Sequence, residues 1–133
     1  MTDLQTHVIT SAIIKFKNKF LIGRRAATKK FAPNKWEFIS GFIDTSESSE
    51  EIILRELKEE TKLKGNIVKS ADPYVIEDKE GRWIIIPFLI EVSSDKFVIN
   101  KKDHSELKWV SSNELDDYED LADVEKLKER KLI

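Results

Sequence analysis

The sequence of 133 residues contains no cysteine, four glycines and three prolines. The absence of cysteine excludes disulfide bonds, thiolate metal sites and a cysteine nucleophile. The low glycine and proline content argues against fibrous and disordered classes. Because 40% of the residues are hydrophobic, the chain can build one core, and its length predicts a single domain over residues 1–133.

Long hydrophobic segments are also missing from the sequence. The longest apolar run covers only residues 83–90, whereas a membrane-spanning helix needs about 20 apolar residues. The first residues lack the basic and apolar regions of a signal peptide. We therefore expect a soluble, cytoplasmic protein that does not act at a membrane.

Neither sign of charge dominates, since 23 basic and 25 acidic side chains give a net charge of −2. The two signs are nevertheless unevenly distributed. Residues 1–36 carry eight bases and one acid, whereas residues 44–60 carry seven acids and two bases. The acidic bulk of the chain would repel a phosphate backbone, so polymeric nucleic acid is not the expected partner.

The pattern of apolar and β-branched residues predicts an α/β fold of the α+β type. Ser48 and Glu51 have the spacing of a capping box, which predicts a helix from there to about Lys62. Pro87 indicates an edge, a bulge or a strand end at its position. The other predicted elements are a hairpin over 7–24, a loop over 31–35, strands over 36–39, 66–77, 82–92 and 107–110, and helices over 112–116 and 121–131.

Three carboxylates of the predicted helix share one face. With 3.6 residues per turn, Glu56, Glu59 and Glu60 are neighbours there. Each like-charged pair costs roughly 0.2–0.5 kcal/mol, and a hard divalent cation such as Mg²⁺ or Mn²⁺ would offset that repulsion. A solvated acidic helix face is the common alternative for such a pattern.

The segment around these carboxylates resembles the Nudix box, the signature of the Nudix hydrolase superfamily. Gly41 is followed after five residues by Glu47, and seven residues separate Glu47 from Arg55 and Glu56. The remaining matching positions are Leu57, Glu59, Glu60 and Leu63. Eight of the nine specified positions are therefore present at unchanged spacing. The segments 21–25, 34–38 and 109–110 are similar to the MutT branch of that superfamily.

Two departures from the pattern concern the ends of the box. Lys62 stands where the box has glycine, which usually forms a left-handed helix cap. The helix could therefore run one turn further and end at Gly65. Ser40 stands where the family often has glycine, so the loop beside the metal site could differ in shape and in substrate preference.

The resemblance implies a Nudix-type mixed β-sheet packed between helices, with a metal site on the box helix. It implies that Glu56, Glu59 and Glu60 bind Mg²⁺, with Mn²⁺ as a substitute, while Arg55 and Glu47 orient these ligands through an ion pair. Further implied ligands are the Gly41 carbonyl and one carboxylate from a later loop, either Asp103 or Glu106. His7 and His104 are interpreted as structural or surface residues, because Mg²⁺ prefers oxygen ligands.

The resemblance also implies the reaction, which is attack of water at phosphorus and cleavage of a diphosphate linkage. Glu59, Glu56 or the loop acid could accept the proton of the water. Arg25, with Arg24 behind it, is the candidate phosphate contact, since guanidinium donates two hydrogen bonds, although a solvated strand end is the alternative. At most two aromatic side chains are expected to stack on the base, with Phe38 best placed and Trp36 as the second choice among the candidates Trp36, Phe38, Phe42, Tyr74 and Trp83. Lys29 and Lys30 are interpreted as solvated surface.

The expected substrate is a nucleoside triphosphate or a related nucleoside-diphosphate derivative. Nucleotide sugars, ADP-ribose and dinucleoside polyphosphates remain alternatives, because the box specifies the cleaved group and not what is attached to it. A catalytically silent nucleotide-binding module is a further alternative. Such a module would be expected to lose a carboxylate of the Arg-Glu-x-x-Glu-Glu motif, and none is lost here. A monomer and a homodimer are both compatible with the sequence.

Overall fold

A computed structural model describes residues 4–133. The strands are β1 (Thr6–Phe16), β2 (Lys19–Arg25), β3 (Trp36–Glu37), β4 (Ile39–Phe42), β5 (Gly65–Ser70), β6 (Tyr74–Asp78), β7 (Gly81–Val92) and β8 (His104–Ser111). The helices are α1 (Ser49–Thr61), a short 3₁₀ helix (Glu114–Asp117) and α2 (Val124–Glu129). None of these helices could cross a lipid bilayer, because each is too short or too polar.

The sheet is mixed and is centred on β1 and β7. These two strands run parallel, with pairs that extend from Thr6 and Arg82 to Lys15 and Glu91. Strands β2 and β4 pair antiparallel with β1, and strands β3 and β8 pair antiparallel with β2. Strands β5 and β6 pair antiparallel with successive parts of β7. The parallel pair joins two antiparallel halves into one network of strands.

Helical segments cover both faces of the sheet. Alternate residues of a strand point to opposite faces, and β1 shows this with Ile13 and Ile14. Ile13 belongs to the core that contains Leu127 of α2, whereas Ile14 belongs to the core that contains Ile53 and Leu57 of α1. The expected α/β sheet packed between helices is thus confirmed.

Helix α1 begins where the capping box predicted and ends at Thr61, without the extra turn to Gly65 that the sequence allowed. Ser48 accepts a hydrogen bond from the Glu51 amide, and the Glu51 side chain accepts one from the Ser48 amide, so the capping box is present. Lys62 adopts the left-handed conformation itself, with φ of 64°, and its N–H donates to the Lys58 carbonyl. The extra turn to Gly65 is therefore absent, and the sequence prediction on that point was wrong. A lysine can occupy this cap at a modest steric cost.

Several strand predictions also require correction. The segment 66–77 forms β5 and β6 with a break between them, and the segment 36–39 belongs to two strands with different partners. Pro87 lies inside β7, at a position between Ile85, which pairs with β6, and Phe88, which pairs with β5. The missing N–H of Pro87 thus falls where the antiparallel partner is interrupted. The two C-terminal helices are shorter than expected, while β8 is longer.

Candidate active site

An acidic cavity of about 410 Å³ lies where β4 meets α1. Its carboxylates are Glu37, Asp44, Glu56, Glu59, Glu60 and Asp103, and its cationic side chains are Arg25, Lys29 and Arg55. Gly41 explains the close approach of the helix, because a Cβ at that position would lie 2.7 Å from Glu56 Cγ and 3.1 Å from Ile52 Cγ2. The glycine of the box thus allows α1 to place Glu56 directly over the strand.

Glu60 is the most deeply buried carboxylate of the cavity, with 5% of its surface exposed. Burial, assisted by the neighbouring carboxyl groups of Glu56, Glu37 and Asp103, raises the pKa of Glu60 to about 10. Its Oε2 atom is buried without a hydrogen-bond partner among the described residues. A buried carboxylate oxygen among other carboxylates is stabilised by a bound cation, so the donor set fits a hard divalent metal ion.

The other two helix carboxylates differ from Glu60 in their surroundings. Glu56 is partly buried, and desolvation together with the nearby Glu59 raises its pKa. Glu59 is exposed, with its Oε1 at 3.8 Å from Arg55 Nε. Arg55 forms the ion pair with Glu47 that the resemblance implied, and this hydrogen bond lowers the pKa of Glu47. Arg55 therefore contacts both Glu47 and Glu59.

The two candidate loop ligands lie in different places. Asp103 lines the acidic cavity, and its carbonyl accepts a hydrogen bond from the Ala26 amide at 3.0 Å, which ties this position to the end of β2. Glu106 is exposed on β8 and does not line the cavity. Lys29 Nζ lies 2.9 Å from Asp103 Oδ1. The interpretation of Lys29 as solvated surface was therefore wrong, since the loop between β2 and β3 brings it back over Asp103.

The cavity carboxylates face one another without converging. Across residues 4–133, no three Asp, Glu or His side chains are arranged to enclose a metal ion. Glu59 and Asp103 are instead paired with Arg55 and Lys29. A metal ion held by the helix carboxylates and Asp103 would thus require these two exposed or half-exposed side chains to rotate, while Glu60 is fixed by burial.

The two arginines of β2 have distinct contacts. Arg25 Nη1 donates to Glu37 Oε1 at 2.9 Å, and Arg25 Nε donates to the Phe31 carbonyl at 2.8 Å, while Nη2 takes part in neither bond. Arg24 Nε donates to the Asn34 carbonyl at 2.9 Å. Arg25 lines the acidic cavity, whereas Arg24 does not. Of the two arginines, only Arg25 can therefore contact a group bound in this cavity.

A second cavity of about 400 Å³ adjoins the first and shares Arg25, Glu37, Ser40 and Phe42 with it. Its aromatic lining consists of Phe31, Trp36, Phe38, Phe42 and Trp83. Phe38 and Trp36 both line this cavity, although Phe38 is also part of the core and Trp36 packs edge-on against Tyr118 at 5.3 Å. Flat apolar walls of this kind suit a nucleobase.

One group of rings in this cavity was only partly anticipated. Phe31 lies 5.1 Å from Trp83, and both rings contact His7, which stacks on Trp83 at 4.3 Å. Phe42 completes the group at 6.0 Å from Phe31 and is 42% exposed. Phe31 was missed because the loop that carries it has no periodic pattern, and only the fold brings it next to β7.

Carboxylates form the polar side of the aromatic cavity, which the sequence did not indicate. Asp123 accepts a hydrogen bond from the Tyr74 hydroxyl at 2.6 Å, and burial raises the pKa of Asp123. Asp120 accepts a hydrogen bond from the Trp36 amide at 3.0 Å. Both residues precede α2 and line the cavity together with Glu119. Nothing in their local sequence separates them from ordinary surface acids.

Carboxylates on one helix face, one of them buried, lie here next to a cavity with aromatic walls, and this arrangement is compatible with a phosphate site that uses a divalent metal ion. The sequence matches the family model of the NUDIX domain over residues 5–130. The chain therefore belongs to the Nudix family and is a Nudix hydrolase, as the sequence predicted. Nudix hydrolases generally require a divalent metal ion. A search among curated proteins found no match.

Solved structures with the same fold agree with this assignment. The MutT protein from Methanosarcina mazei Go1 is similar with a TM-score of 0.84 and 25% identity, covering 98% of this chain and 99% of that chain. The NUDIX domain of Shewanella oneidensis NrtR, complexed with ADP ribose, has a TM-score of 0.76 and 20% identity over 96% and 88% of the two chains. A C. elegans Ap4A hydrolase has a TM-score of 0.76 and 19% identity over 94% of each chain. The last two comparisons show the fold alone.

Proposed function

We propose that this Nudix hydrolase cleaves a diphosphate linkage in a nucleoside triphosphate or a related nucleoside-diphosphate derivative, with Mg²⁺ as its metal ion and Mn²⁺ as a substitute. The observation that carries the proposal is the pair of adjoining cavities. One gathers the α1 carboxylates Glu56, Glu59 and Glu60, and the other has aromatic walls. Because they share Arg25, Glu37, Ser40 and Phe42, a single substrate could place its phosphates in one and its base in the other.

The metal ion would be held by Glu56, Glu59 and Glu60 of α1, with Asp103 and the Gly41 carbonyl as additional ligands. A divalent cation bound there would neutralise phosphate charge and lower the pKa of a coordinated water. Asp103 is preferred over Glu106 as the loop ligand because only Asp103 lines the cavity. The unpartnered Oε2 of Glu60 supports this assignment, since a cation would satisfy it.

The chain's own residues then position the substrate and move the proton. Glu59 is our candidate general base, because its carboxylate is exposed in the cavity and has only a 3.8 Å contact with Arg55. Glu56 is the second candidate for the general base, since its pKa is raised and a pKa closer to the working pH favours proton transfer. Arg55, which is paired with Glu47, lies 3.8 Å from Glu59 and restrains that carboxylate. The proton leaves the attacking water as its oxygen bonds to phosphorus and the anhydride oxygen departs.

Substrate contacts follow from the cationic and aromatic residues around the cavities. Arg25 and Lys29 line the acidic cavity and could bind phosphate oxygens. The base would lie against Phe38, Trp36 or the Phe31 and Trp83 rings of the aromatic cavity. Its polar wall offers Asp120, Asp123 and Glu119, which as carboxylates accept hydrogen bonds.

Other diphosphate compounds belong in the same test. The Shewanella domain was solved with ADP ribose, and the C. elegans protein is an Ap4A hydrolase. A nucleotide sugar presents the same diphosphate group. A silent nucleotide-binding module is the different alternative, and the presence of every carboxylate of the Nudix box argues against it.

The test is a panel of these compounds, incubated with Mg²⁺ and scored for release of phosphate, pyrophosphate or nucleoside monophosphate. Glu59→Gln and Glu60→Gln should abolish most of the turnover. Glu50→Gln is the matched control, because Glu50 lies in the first turn of the same helix and outside the cavity. Absence of turnover by the wild type, or full activity in both cavity variants, would reject the proposed function.

A further inference from the structure

A chain of charged and polar side chains runs behind the acidic cavity, from β2 to α1. Arg25 Nη1 donates to Glu37 Oε1 at 2.9 Å, and the other carboxylate oxygen of Glu37 lies 2.8 Å from His104 Nε2. His104 Nδ1 in turn faces Glu60 Oε1 at 3.6 Å, which is longer than a hydrogen bond but close enough for an electrostatic contact. The imidazole thus presents one nitrogen to each of two carboxylates.

His104 is held rigidly at this position. Only 1% of its surface is exposed. A Cβ added to Gly23 would lie 2.6 Å from His104 Cδ2 and 2.9 Å from Leu107 Cδ2, so the ring is packed directly on the backbone of β2. His104 is also paired across the sheet with Arg25, at the irregularity in the pairing of β2 with β8. Such irregularities commonly redirect side chains near active sites.

The side chain that the fixed His104 ring faces is Glu60, and both side chains carry a buried polar atom. Nδ1 of His104 and Oε2 of Glu60 are both buried without a hydrogen-bond partner among the described residues. Because only 5% of Glu60 is exposed, the orientation of its carboxylate depends on the protein groups around it rather than on solvent. On the helix side, the Glu60 carboxyl group is a hydrogen-bonding neighbour of Glu56. On the sheet side it faces the His104 ring, whose other nitrogen contacts Glu37.

We propose that His104 is a positioning residue, which, anchored by Glu37 and Arg25, fixes the orientation of the Glu60 carboxylate and thereby sets the affinity of the cavity for its divalent metal ion. This inference rests on the proposed function, since it takes Glu60 as a metal ligand. It assigns His104 no contact with the metal ion or with the substrate. It also gives Glu37, which lines both cavities, a function that the Nudix box does not include.

The test measures binding of Mn²⁺ to the whole chain, from the electron paramagnetic resonance signal of the free ion. His104→Leu removes both ring nitrogens, and Gly23→Ala displaces the ring without removing any polar group. Both variants should weaken Mn²⁺ binding by about 10–100-fold, the usual effect of losing a residue that orients a ligand. His104→Gln, whose amide can still reach Glu37, should recover part of the loss.

His7→Gln is the matched control, because His7 is the other histidine of the chain and stacks on Trp83 in the aromatic cavity. It should bind Mn²⁺ as the wild type does. Wild-type affinity in folded His104→Leu and Gly23→Ala would overturn the inference and leave the metal site intact. Absence of Mn²⁺ binding by the wild type itself would instead overturn the proposed function.

A second measurement uses the unmodified protein and so does not depend on the folding of a variant. The ring ¹⁵N resonances of the two histidines are compared by NMR before and after addition of saturating Mg²⁺. Those of His104 should shift and those of His7 should not, because only His104 faces a cavity carboxylate. Unchanged His104 resonances in a protein that binds Mg²⁺ would contradict the inference.

Discussion

The two cavities of this Nudix hydrolase differ in how their residues are distributed along the chain. Most of the acidic cavity comes from residues 41–60, which form one strand end and one helix. The aromatic cavity is assembled from distant segments, including Phe31 of a loop, Trp83 of β7 and Asp123 before α2. A short motif can therefore encode the proposed chemistry, whereas the choice of substrate depends on contacts that only the fold creates.

The largest effect is expected at the acidic cavity. Glu59→Gln should lower kcat by about 10²–10⁴-fold, the range for loss of a general base. The same change should leave binding of a substrate analogue to the aromatic cavity nearly unaffected. Steady-state kinetics with the best substrate of the panel, combined with calorimetric binding of that analogue, measure the two effects. A variant that loses binding and turnover equally would show that the cavities do not act separately.

In the aromatic cavity, a substitution should weaken substrate binding and leave metal binding unchanged. Trp83→Ala should raise KM by about 10–100-fold, because loss of stacking on one ring costs about 1–3 kcal/mol. Its affinity for Mn²⁺ should stay at the wild-type value, since Trp83 does not line the acidic cavity. Kinetics and Mn²⁺ titration of the same preparation provide the comparison. A large fall in Mn²⁺ affinity would contradict the division between the cavities.

The raised pKa of Glu60 predicts that the stability of the metal-free protein falls as the pH rises. Its carboxyl group has a pKa of about 10 in the folded protein, above the ordinary value of 4.5, so the folded state binds this proton more tightly than the unfolded state. Its contribution to stability is therefore present below about pH 4.5 and is lost as the pH rises toward 10. Without metal, Glu60→Gln should stabilise the protein at pH 8, because the folded state then no longer has to take up a proton on a carboxyl group that is ionised in the unfolded chain.

Thermal unfolding of both proteins with EDTA and with Mg²⁺ tests this expectation. Mg²⁺ should stabilise the wild type more strongly at pH 8 than at pH 6, because binding requires the ionised carboxylate. It should have little effect on Glu60→Gln. Equal stabilisation of the two proteins would show that Glu60 does not bind the metal ion.

The smallest effect is expected outside both cavities, at the end of α1. Lys62→Gly should raise the free energy of unfolding by about 1 kcal/mol, because glycine adopts the left-handed cap conformation without a steric penalty. Activity should not change. Lys62→Ala is the control, since alanine retains a Cβ and should give no gain. Urea unfolding measures the difference, and a stabilising alanine variant would point to the charge rather than to the backbone.

Local patterns predicted the parts of the molecule that depend on neighbouring residues. The capping box at Ser48 and Glu51 fixed the start of α1, and the resemblance to the Nudix box implied the ion pair between Arg55 and Glu47. Runs of apolar and β-branched residues predicted the central strands β1 and β7. The break between β5 and β6 was missed although its local signal is present, because Pro73 lies in it directly before β6 and a proline interrupts a strand.

The sequence by itself determined the fold class, the family and the presence of three carboxylates on one helix face, since these depend on spacing along a single element. Only the tertiary structure decided that Glu60 is buried while Glu59 is exposed, that Asp103 rather than Glu106 lines the acidic cavity, and that His104 stands between Glu37 and Glu60. The physical reason is that burial and charge pairing depend on distances between segments far apart in the chain, which the packing of the sheet against its helices sets.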